Sequence, residues 1–562
     1  MVTGIASVPP SAVRRALRDR AEIGLLDVRP EGRYARGHPL FAASFPLGRL
    51  EAEVFDRLPR RSVPLVVYGD GPGAGDDDAA TAVRRLLGLG YRNVSLLAGG
   101  LAGWTSAGGE LFADVNTPSK AFGELVAAAA GTPDLAAQDL QAMLRDQEDV
   151  VVVDARRFEE YQTMSIPTAT SVPGAELVLR VSALAPDPAT TVVVNCAGRT
   201  RSIIGAQSLI NAGRANRVMA LRNGTIGWTL AGLPLEAGQA RRAPEVSLTS
   251  ARQARAAAWA VARKAGVRRI DSGELRSLGQ GGMRTVYRFD VRTPEEYEGR
   301  HPAGFRPAPG GQLVQETDWF APVRGALVVL ADDEGGRAAM TGSWLAQMGF
   351  QVALWPPDPV GPVEAGPWRP ALPPLPEVRL ADPAQVDGWL RAGEALVVDV
   401  DTSRRFLSGH VPGAVWALRA DLSGDAASGL LDRHPGTTRL VLTSADGILA
   451  AFAAADVPQR APAVQAAVTV LAGGTAGWAR SGRPLAAGPG EMLSPPVDVY
   501  RRPYEGTDVD PAVMQAYLDW EHGLVAQLER DATHGFTVLT GLGDGASWSC
   551  ATSDPCRPGR TR

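Results

Sequence analysis

Short apolar runs alternate with amphipathic stretches along most of this chain. One such unit reads TTVVVNCAGRTRSIIGAQSLINAG, in which β-favouring residues lead through a polar loop into apolar residues at helical spacing. Strands that are buried on both faces read as continuous apolar runs, and their alternation with helices is typical of parallel sheets covered on both sides. The pattern predicts an α/β fold.

The strand and helix unit is written four times, and each copy opens on an apolar strand that ends in aspartate. The anchors of these opening elements, which lie 109 to 136 residues apart, are Asp27, Asp154, Asp290 and Asp399. A closing turn with tryptophan, LLAGGLAGW, ALRNGTIGW or VLAGGTAGW, ends copies one, two and four, whereas copy three has ALWPPDPVG. This spacing indicates repeated domains, because solenoid repeats recur every ~20–50 residues.

The repeats divide the 562 residues into four domains and an extension. We expect each domain to be a mainly parallel sheet with helices on both faces. The predicted ranges are 1–116, 117–240 with Cys196, 241–372, 373–488, and 489–562 for a linker, an amphipathic helix and a flexible tail.

Composition excludes several classes of protein. A hydrophobic content of 45% with 21% charged residues is that of globular domains. The net charge of −4 and the lack of a basic block argue against nucleic acid or an anionic membrane as partner. No apolar run reaches the ~18 residues of a membrane span, and the first 20 residues lack the apolar core of a signal peptide. We therefore expect a cytoplasmic location, where a free cysteine stays reduced.

Cys196 lies between a predicted strand and a predicted helix, which is where parallel sheets bind ligands. Backbone N–H groups of this loop and the following helix terminus can converge on one anionic atom. With Arg199 and Arg201 nearby, we expect the thiolate to be stabilised well below the usual thiol pKa of about 8.5. Cys196 is thus the predicted catalytic residue. The predicted substrate-binding residues are Ala197, Gly198, Arg199, Thr200, Arg201 and Ser202.

These motifs resemble the rhodanese family, with an opening DVR-x-x-x-E-Y-x-x-G-H element, a cysteine loop and a closing GG-x-x-GW. The resemblance covers roughly residues 1 to 488, and one intact cysteine loop among four copies is similar to multidomain bacterial sulfurtransferases. It implies a Cys196 persulfide, no cofactor, a small anionic sulfur donor, and cyanide, a small thiol or a protein as sulfur acceptor. Thiosulfate is the favoured donor because two arginines suit a dianion, and 3-mercaptopyruvate is the alternative.

Three other interpretations remain at this point. Cys196 could be a buried structural residue. The chain could be a binding platform built from mostly inactive domains. It could also be a Cys-loop phosphatase, although Arg201 gives a Cys-x4-Arg loop that is shorter than the Cys-x5-Arg loop of those enzymes.

The other copies lack a sulfur nucleophile, since Asp70, Asp332 and Ser444 stand near the position of Cys196. Residues that recur in these copies are therefore predicted to support the structure, and no metal site is expected. In copy two the predicted supporting residues are Asp154, Arg156, Glu160 and Trp228.

The segment Asp510 to Arg530 predicts one amphipathic helix, with Asp510 as N-cap and Pro511 in its first turn. Its apolar face must pack on a domain of this chain or on a second subunit, so a homodimer is one hypothesis. Cys550 and Cys556 are not spaced like a zinc or thioredoxin-like pair, and a relay role for them is a further hypothesis.

Overall fold

The computed structural model describes residues 4–71, 76–280, 282–333, 335–356, 361–422, 433–434, 436–460, 468–540 and 547–548. Cys550 and Cys556 lie outside these residues, and so does any test of a relay role for them.

The described residues of copy one form five strands and five helices, which alternate along the chain around one sheet. Its strands are β1 (Ser7–Val8), β2 (Ile23–Asp27), β3 (Ala42–Ser44), β4 (Leu65–Tyr68) and β5 (Val94–Leu97). Its helices are α1 (Pro10–Arg18), α2 (Glu31–Tyr34), α3 (Leu50–Arg57), α4 (Asp76–Gly88) and α5 (Gly100–Ser106).

Copy two begins with an additional long helix and then repeats the pattern. Its strands are β6 (Asp134–Leu135), β7 (Val150–Asp154), β8 (Thr170–Ser171), β9 (Thr191–Asn195) and β10 (Val218–Leu221). Its helices are α6 (Thr117–Ala130), α7 (Ala137–Arg145), α8 (Phe158–Thr163), α9 (Leu177–Leu184), α10 (Thr200–Asn211) and α11 (Gly224–Leu230).

Copy three also opens on a long helix and carries three additional short strands. Its strands are β11 (Arg268–Arg269), β12 (Val286–Asp290), β13 (His301–Pro302), β14 (Arg306–Pro307), β15 (Val323–Arg324), β16 (Leu327–Ala331), β17 (Gln351–Leu354) and β18 (Val363–Glu364). Its helices are α12 (Leu248–Lys264), α13 (Ser272–Gln280), α14 (Pro294–Gly299), α15 (Gly310–Gln315), α16 (Thr317–Phe320) and α17 (Gly336–Gln347).

Copy four and the C-terminal segment complete the chain. The strands are β19 (Leu380–Ala381), β20 (Ala395–Asp399), β21 (Val415–Trp416), β22 (Arg439–Thr443), β23 (Val468–Leu471), β24 (Glu491–Met492), β25 (Val538–Leu539) and β26 (Ser547–Trp548). The helices are α18 (Pro383–Arg391), α19 (Ser403–Ser408), α20 (Ile448–Arg460), α21 (Gly474–Arg480), α22 (Pro511–His522) and α23 (Leu524–Asp531).

All four sheets have the same strand order, which confirms the predicted α/β architecture of repeated domains. The orders are β1-β5-β4-β2-β3, β6-β10-β9-β7-β8, β11-β17-β16-β12-β14 and β19-β23-β22-β20-β21. Every pairing within these orders is parallel, including those of β9 with β7 and β10 at the centre of the second sheet. The carboxyl ends of the central strands therefore point to one edge, where each copy can build a site.

The copies are joined into one body through shared strands and a shared core. β15 of copy three pairs antiparallel with β2 of copy one, and β24 extends the sheet of copy four. Copies one, two and three and the C-terminal segment contribute to one large apolar cluster, whereas most of copy four's core lies in two clusters of its own. Within the described residues no helix is both long and apolar enough to cross a bilayer.

The C-terminal segment forms two helices, so the prediction of one continuous helix was wrong. α22 ends before Gly523 and α23 starts after it, because glycine is a poor residue for a helix interior. Asp510 caps α22 as expected, since its side chain accepts a hydrogen bond from the N–H of Ala512 at 2.8 Å. The apolar face of α22 packs on Ile226 of copy two, through Leu518 and its neighbours, and is thus covered within the chain.

Candidate active site around Cys196

Cys196 directly follows β9, and α10 begins four residues later at Thr200. Its side chain is only 2% exposed. The thiol donates a hydrogen bond to Oγ of Ser202 at 3.5 Å, and that hydroxyl donates to the carbonyl of Arg199 at 2.8 Å. The cysteine is therefore held inside its own loop, at the carboxyl edge of the sheet.

The first residues of α11 bind the carbonyl groups of the cysteine loop. The N–H groups of Thr225 and Ile226 donate to the carbonyls of Cys196 and Ala197 at 2.9 and 3.0 Å. Gly224 has φ +54°, and a Cβ there would lie 2.3 Å from the Cys196 carbonyl oxygen, so only glycine fits. Because α11 engages the carbonyl groups of the loop, the N–H groups of the loop and of the first turn of α10 remain available to bind an anion.

Both arginines of the loop are engaged by carboxylates. Arg201 forms a bidentate pair with Glu160 at 2.7 and 2.8 Å. Arg199 forms another with Glu124 of α6 at 2.7 and 2.9 Å, and also donates to Asn223. Neither guanidinium is therefore a free positive charge, in contrast to what the sequence suggested.

The predicted lowering of the Cys196 pKa was wrong. Burial raises the pKa of the Cys196 thiol above its usual value, because the charged thiolate loses water contacts. The Arg201 charge and hydrogen bonding with Ser202 oppose this effect, and Glu521 adds to it, but burial is the larger influence. The sequence showed the arginines and could not show the burial or the carboxylates that neutralise them.

Asp154 and Arg156, which the sequence assigned to structural support, form a buried pair behind the loop. Arg156 holds both oxygens of Asp154 and donates to the carbonyl of Met164. Asn195, the last residue of β9, also donates to Asp154 at 3.0 Å. The equivalent pairs in copies one and three are Asp27 with Arg29 and Asp290 with Arg292. This recurrence without a cysteine fits a role in joining the strand end to the following turn.

Trp228 of α11 is completely buried, and its indole N–H donates to the carbonyl of Pro234 at 2.8 Å. Trp104 and Trp478 make the same bond to Glu110 and Pro484 in copies one and four. In these three copies the tryptophan of the closing turn thus packs against the segment that leaves the domain.

The C-terminal helix α22 covers the cysteine loop at Gly198. A Cβ on Gly198 would lie 3.2 Å from the ring of Tyr517 and 3.3 Å from Oε2 of Glu521. Residues more than 300 positions apart in sequence therefore meet at the loop, and glycine leaves the space for them.

Glu521 is fully buried beside this loop. Its Oε1 accepts a hydrogen bond from the hydroxyl of Tyr517 at 2.8 Å, and its Oε2 has no hydrogen-bond partner among the described residues. Burial raises the pKa of Glu521 to about 8, although the charges of Lys120 and Arg199 oppose the shift. The carboxyl group can therefore change charge near neutral pH while it faces the cysteine loop.

The corresponding loops of the other copies differ at the key position. In copy three Asp332 follows β16, and its carboxylate accepts N–H groups of Gly335 and Ala338 in its own loop. In copy four Ser444 follows β22. In copy one Gly69 follows β4, and Asp70, one residue later, pairs with Arg29 and Arg33. Asp70 is therefore displaced by one residue from the position of the cysteine.

Copy three also repeats the pair between Arg201 and Glu160. Arg337, five residues after Asp332, binds Glu296 at 2.7 Å and also Glu176 of copy two at 2.9 Å. An arginine at this position thus binds the carboxylate of its own domain even where the cysteine is absent.

No group of three or more His, Cys, Asp and Glu side chains in the described ranges is arranged to hold a metal ion. The histidines of the opening elements are buried, and each stacks on an aromatic ring. These stacked pairs are His38 with Tyr34, His301 with Tyr297 and His410 with Phe406.

Sequence reasoning did not place Glu124, Tyr517 or Glu521 at the cysteine loop, although Tyr517 was expected on the apolar face of the C-terminal helix. Glu124 gave no signal, because nothing in α6 points to the loop that it contacts. Glu521 did give one, since it falls on the same face of its helix as Met514 and Leu518. A carboxylate on an apolar helix face is a sign of a buried polar function.

Known proteins share this architecture. A family model described as "Rhodanese-like domain" matches residues 10–107, 136–231 and 382–481. These matched residues lie in copies one, two and four, and the sheet of copy three has the same strand order as theirs.

Three individual proteins are also similar in sequence to most or part of this chain. The crystal structure of a thiosulfate sulfurtransferase from Pseudomonas aeruginosa is 52% identical with a TM-score of 0.91 and covers 95% of this chain and 100% of its own. A sulfurtransferase of Allochromatium vinosum is 35% identical over 100 residues, which are 18% of this chain and 91% of that protein. An HTH-type transcriptional regulator of Mycobacterium tuberculosis is 35% identical over 94 residues, 17% of this chain, and the match spans only 41% of the regulator.

Proposed function

This chain belongs to the rhodanese family, and on that premise we propose that it is a sulfurtransferase that carries sulfur on Cys196. The observation that carries the proposal is the placement of Cys196 at the carboxyl end of β9, in a loop whose carbonyls are engaged by α11. A persulfide is an anion at neutral pH, and the remaining N–H groups of the loop suit one. Ala197 to Ser202 are the proposed binding residues.

The reaction is a double displacement. The Cys196 thiolate attacks the outer sulfur of thiosulfate, the S–S bond of the donor breaks, and sulfite leaves with the electron pair. The acceptor then attacks the outer sulfur of the Cys196 persulfide, and the bonding electron pair returns to Cys196. Cyanide leaves as thiocyanate, and a thiol leaves as its own persulfide.

Thiosulfate is the proposed donor in preference to 3-mercaptopyruvate. The similarity to the thiosulfate sulfurtransferase from Pseudomonas aeruginosa supports this choice at 52% identity. Because Arg199 and Arg201 are already paired, the binding energy is assigned to the loop N–H groups and the start of α10. Initial rates with both donors test the choice, and a larger kcat/KM for 3-mercaptopyruvate would overturn it.

The domain ranges given above complete the proposal. Residues 117–240 carry the chemistry, and the other three copies act as supporting domains. We place the protein in the cytoplasm, because its reaction needs a reduced Cys196.

The decisive experiment is mass spectrometry of the Cys196 peptide after incubation with thiosulfate. We expect a gain of one sulfur atom that cyanide removes, and no gain in the Cys196→Ser variant. An unmodified Cys196 peptide would leave the protein a binding platform. Release of phosphate from a phosphotyrosine peptide without sulfur loading would instead favour a phosphatase.

A further inference from the structure

A cavity of about 710 Å³, here called the central chamber, lies where the four copies and the C-terminal segment meet. Its size falls within the ~300–1,000 Å³ typical of sites for small organic ligands. Arg201 and Glu160, beside the Cys196 loop, form part of its wall, and so does Tyr504 of the C-terminal segment. The chamber therefore adjoins the candidate active site, and thiosulfate alone is much smaller than its volume.

The chamber wall contains seven arginines and six carboxylates, so its charges nearly balance. Its arginines are mostly paired with carboxylates of the same wall, such as Arg157 with Glu316 at 2.7 Å and Arg404 with Glu505 at 2.9 Å. A polyanion would have to break these pairs to bind. The wall thus suits a ligand that carries its own charges of both signs.

Two acceptor atoms in the wall are left without partners. Oε1 of Gln315 and Oδ1 of Asp318 have no hydrogen-bond donor among the described residues. Gln315 is 7% exposed, and the other oxygen of Asp318 accepts from the hydroxyl of Tyr34 at 3.3 Å. Both atoms have almost no accessible surface, so a ligand N–H group reaches them only when the side chain rotates toward the chamber. Buried acceptors without donors are costly, and such a rotation onto a ligand donor is therefore favourable. An ammonium group beside the Asp318 carboxylate fits best, because it supplies both donors and positive charge.

Access to Cys196 limits the size of the acceptor. The thiol is 2% exposed and lies in a loop covered by Tyr517 and Glu521. At a sulfur covered in this way, a small flexible thiol meets less steric hindrance than a cysteine on the surface of a folded protein.

We propose that the central chamber binds the sulfur acceptor, and that this acceptor is a small amino-acid or peptide thiol whose ammonium group lies on Asp318 and Gln315. The inference rests on the proposed sulfurtransferase function. The acceptor thiolate attacks the outer sulfur of the Cys196 persulfide, the S–S bond breaks, and the electron pair returns to Cys196. The proton of the acceptor thiol goes to the solvent. The cysteine-less copies thereby gain a role, because they build the wall that recognises the acceptor.

The test compares L-cysteine with 3-mercaptopropionate, which lacks only the ammonium group, as acceptors from thiosulfate-loaded enzyme. We expect Asp318→Asn to raise the KM for L-cysteine about tenfold or more, by loss of a charged hydrogen bond, and to leave the KM for 3-mercaptopropionate unchanged. The KM of the variant is compared with that of wild type for the same thiol, so the different intrinsic reactivities of the two thiols cancel. The control Asp139→Asn removes an exposed carboxylate of copy two and should change neither value.

A second variant and a binding measurement keep the test independent of folding defects. Gln315→Met should weaken binding of S-methylglutathione, an unreactive peptide thioether, in calorimetry of the full chain, provided that thermal unfolding matches wild type. Equal effects of Asp318→Asn on both thiols, or none, would overturn the inference. So would a reduced protein dithiol that discharges Cys196 with a higher kcat/KM than any small thiol. Failure of Cys196 to load sulfur from thiosulfate would be a separate result, which overturns the proposed function itself.

Discussion

Arg201 acts on two groups, the Cys196 thiol and the Glu160 carboxylate. Its positive charge opposes the rise that burial causes in the pKa of Cys196, but its guanidinium is held in a bidentate pair by Glu160. Although burial opposes the shift, Arg201 lowers the pKa of Glu160 to about 2. Copy three keeps the same pair, Arg337 with Glu296, without a cysteine. The pair is therefore first a structural tie between α10 and α8, and its effect on the thiol is secondary.

Arg201→Ala should lower stability and raise the Cys196 pKa further. The partly buried pair is worth about 1–3 kcal/mol, between the values of exposed and fully buried pairs. Apparent Tm and the pH dependence of Cys196 alkylation, resolved by peptide mass spectrometry, measure the two effects. The matched control is Arg337→Ala, which should lower Tm but leave the alkylation profile unchanged. Identical alkylation profiles for both variants would show that Arg201 has no electrostatic effect on the thiol.

Glu521→Gln should speed alkylation of Cys196 above pH 8 and have little effect below pH 7. The pKa of Glu521 is raised to about 8, so its carboxyl group is neutral below that value and negative above it. Its negative charge raises the pKa of Cys196, and glutamine removes that charge. We expect an alkylation rate with iodoacetamide at pH 9 that is several-fold higher than in wild type.

The control for this prediction is Glu529→Gln, an exposed carboxylate on the neighbouring helix α23. It should leave the rate unchanged at every pH. A Glu521→Gln effect of equal size at pH 6.5 and pH 9 would contradict the electrostatic explanation and indicate a change in access to the loop.

At the scale of elements, the strands and turns that could be predicted from the sequence are those that depend on local pattern. The apolar strands repeat in all four copies and the closing tryptophan turn in three, and Cys196 stands between a strand and a helix of that repeat, so these features could be recognised without a structure. The raised Cys196 pKa and the pairing of Arg199 with Glu124 could not, because both depend on contacts between distant segments. The break at Gly523 was missed because the apolar spacing continues across it.

The most consequential contact that was missed is between elements, where α22 packs on α11 and over the cysteine loop. This helix comes from outside the four repeats, so comparison of one copy with another cannot reveal it. A single rhodanese domain excised from this chain would lack the cover that Tyr517 and Glu521 provide.

Leu518→Ala should therefore loosen the cover of Cys196. Leu518 is buried against Ile226, and its truncation should cost about 2–5 kcal/mol of local packing. Because α22 then opens more often, we expect faster alkylation of Cys196 at constant pH. Val513→Ala, on the exposed side of the same helix, is the control and should change neither stability nor alkylation. Faster alkylation in both variants would instead point to fraying of the helix start.

On the scale of the whole molecule, copy four is attached in a different way from the others. Copies one to three share one apolar cluster, whereas most of the core of copy four is separate. A buried polar contact joins it to copy one, where Arg419 binds both oxygens of Glu51 at 2.7 and 3.0 Å. Asp456 of copy four accepts from Arg419 and also from Arg85 of copy one. These charges fix the position of copy four relative to the central chamber.

Arg419→Ala should uncouple copy four while the sulfur chemistry of Cys196 survives. Breaking a buried pair from one side costs about 3–5 kcal/mol, because Glu51 keeps a buried charge and loses one of the two arginines that bind it among the described residues. In calorimetry we expect an additional unfolding transition at lower temperature, and peptide mass spectrometry should still find full loading of Cys196 by thiosulfate.

Since Arg404 and Arg405 of copy four line the chamber, the KM for a thiol acceptor should rise as their positions become less fixed. Arg391→Ala, which removes an exposed pair with Asp387, is the control and should cost under ~1 kcal/mol. An unchanged acceptor KM alongside a separate unfolding transition would mean that copy four takes no part in acceptor binding.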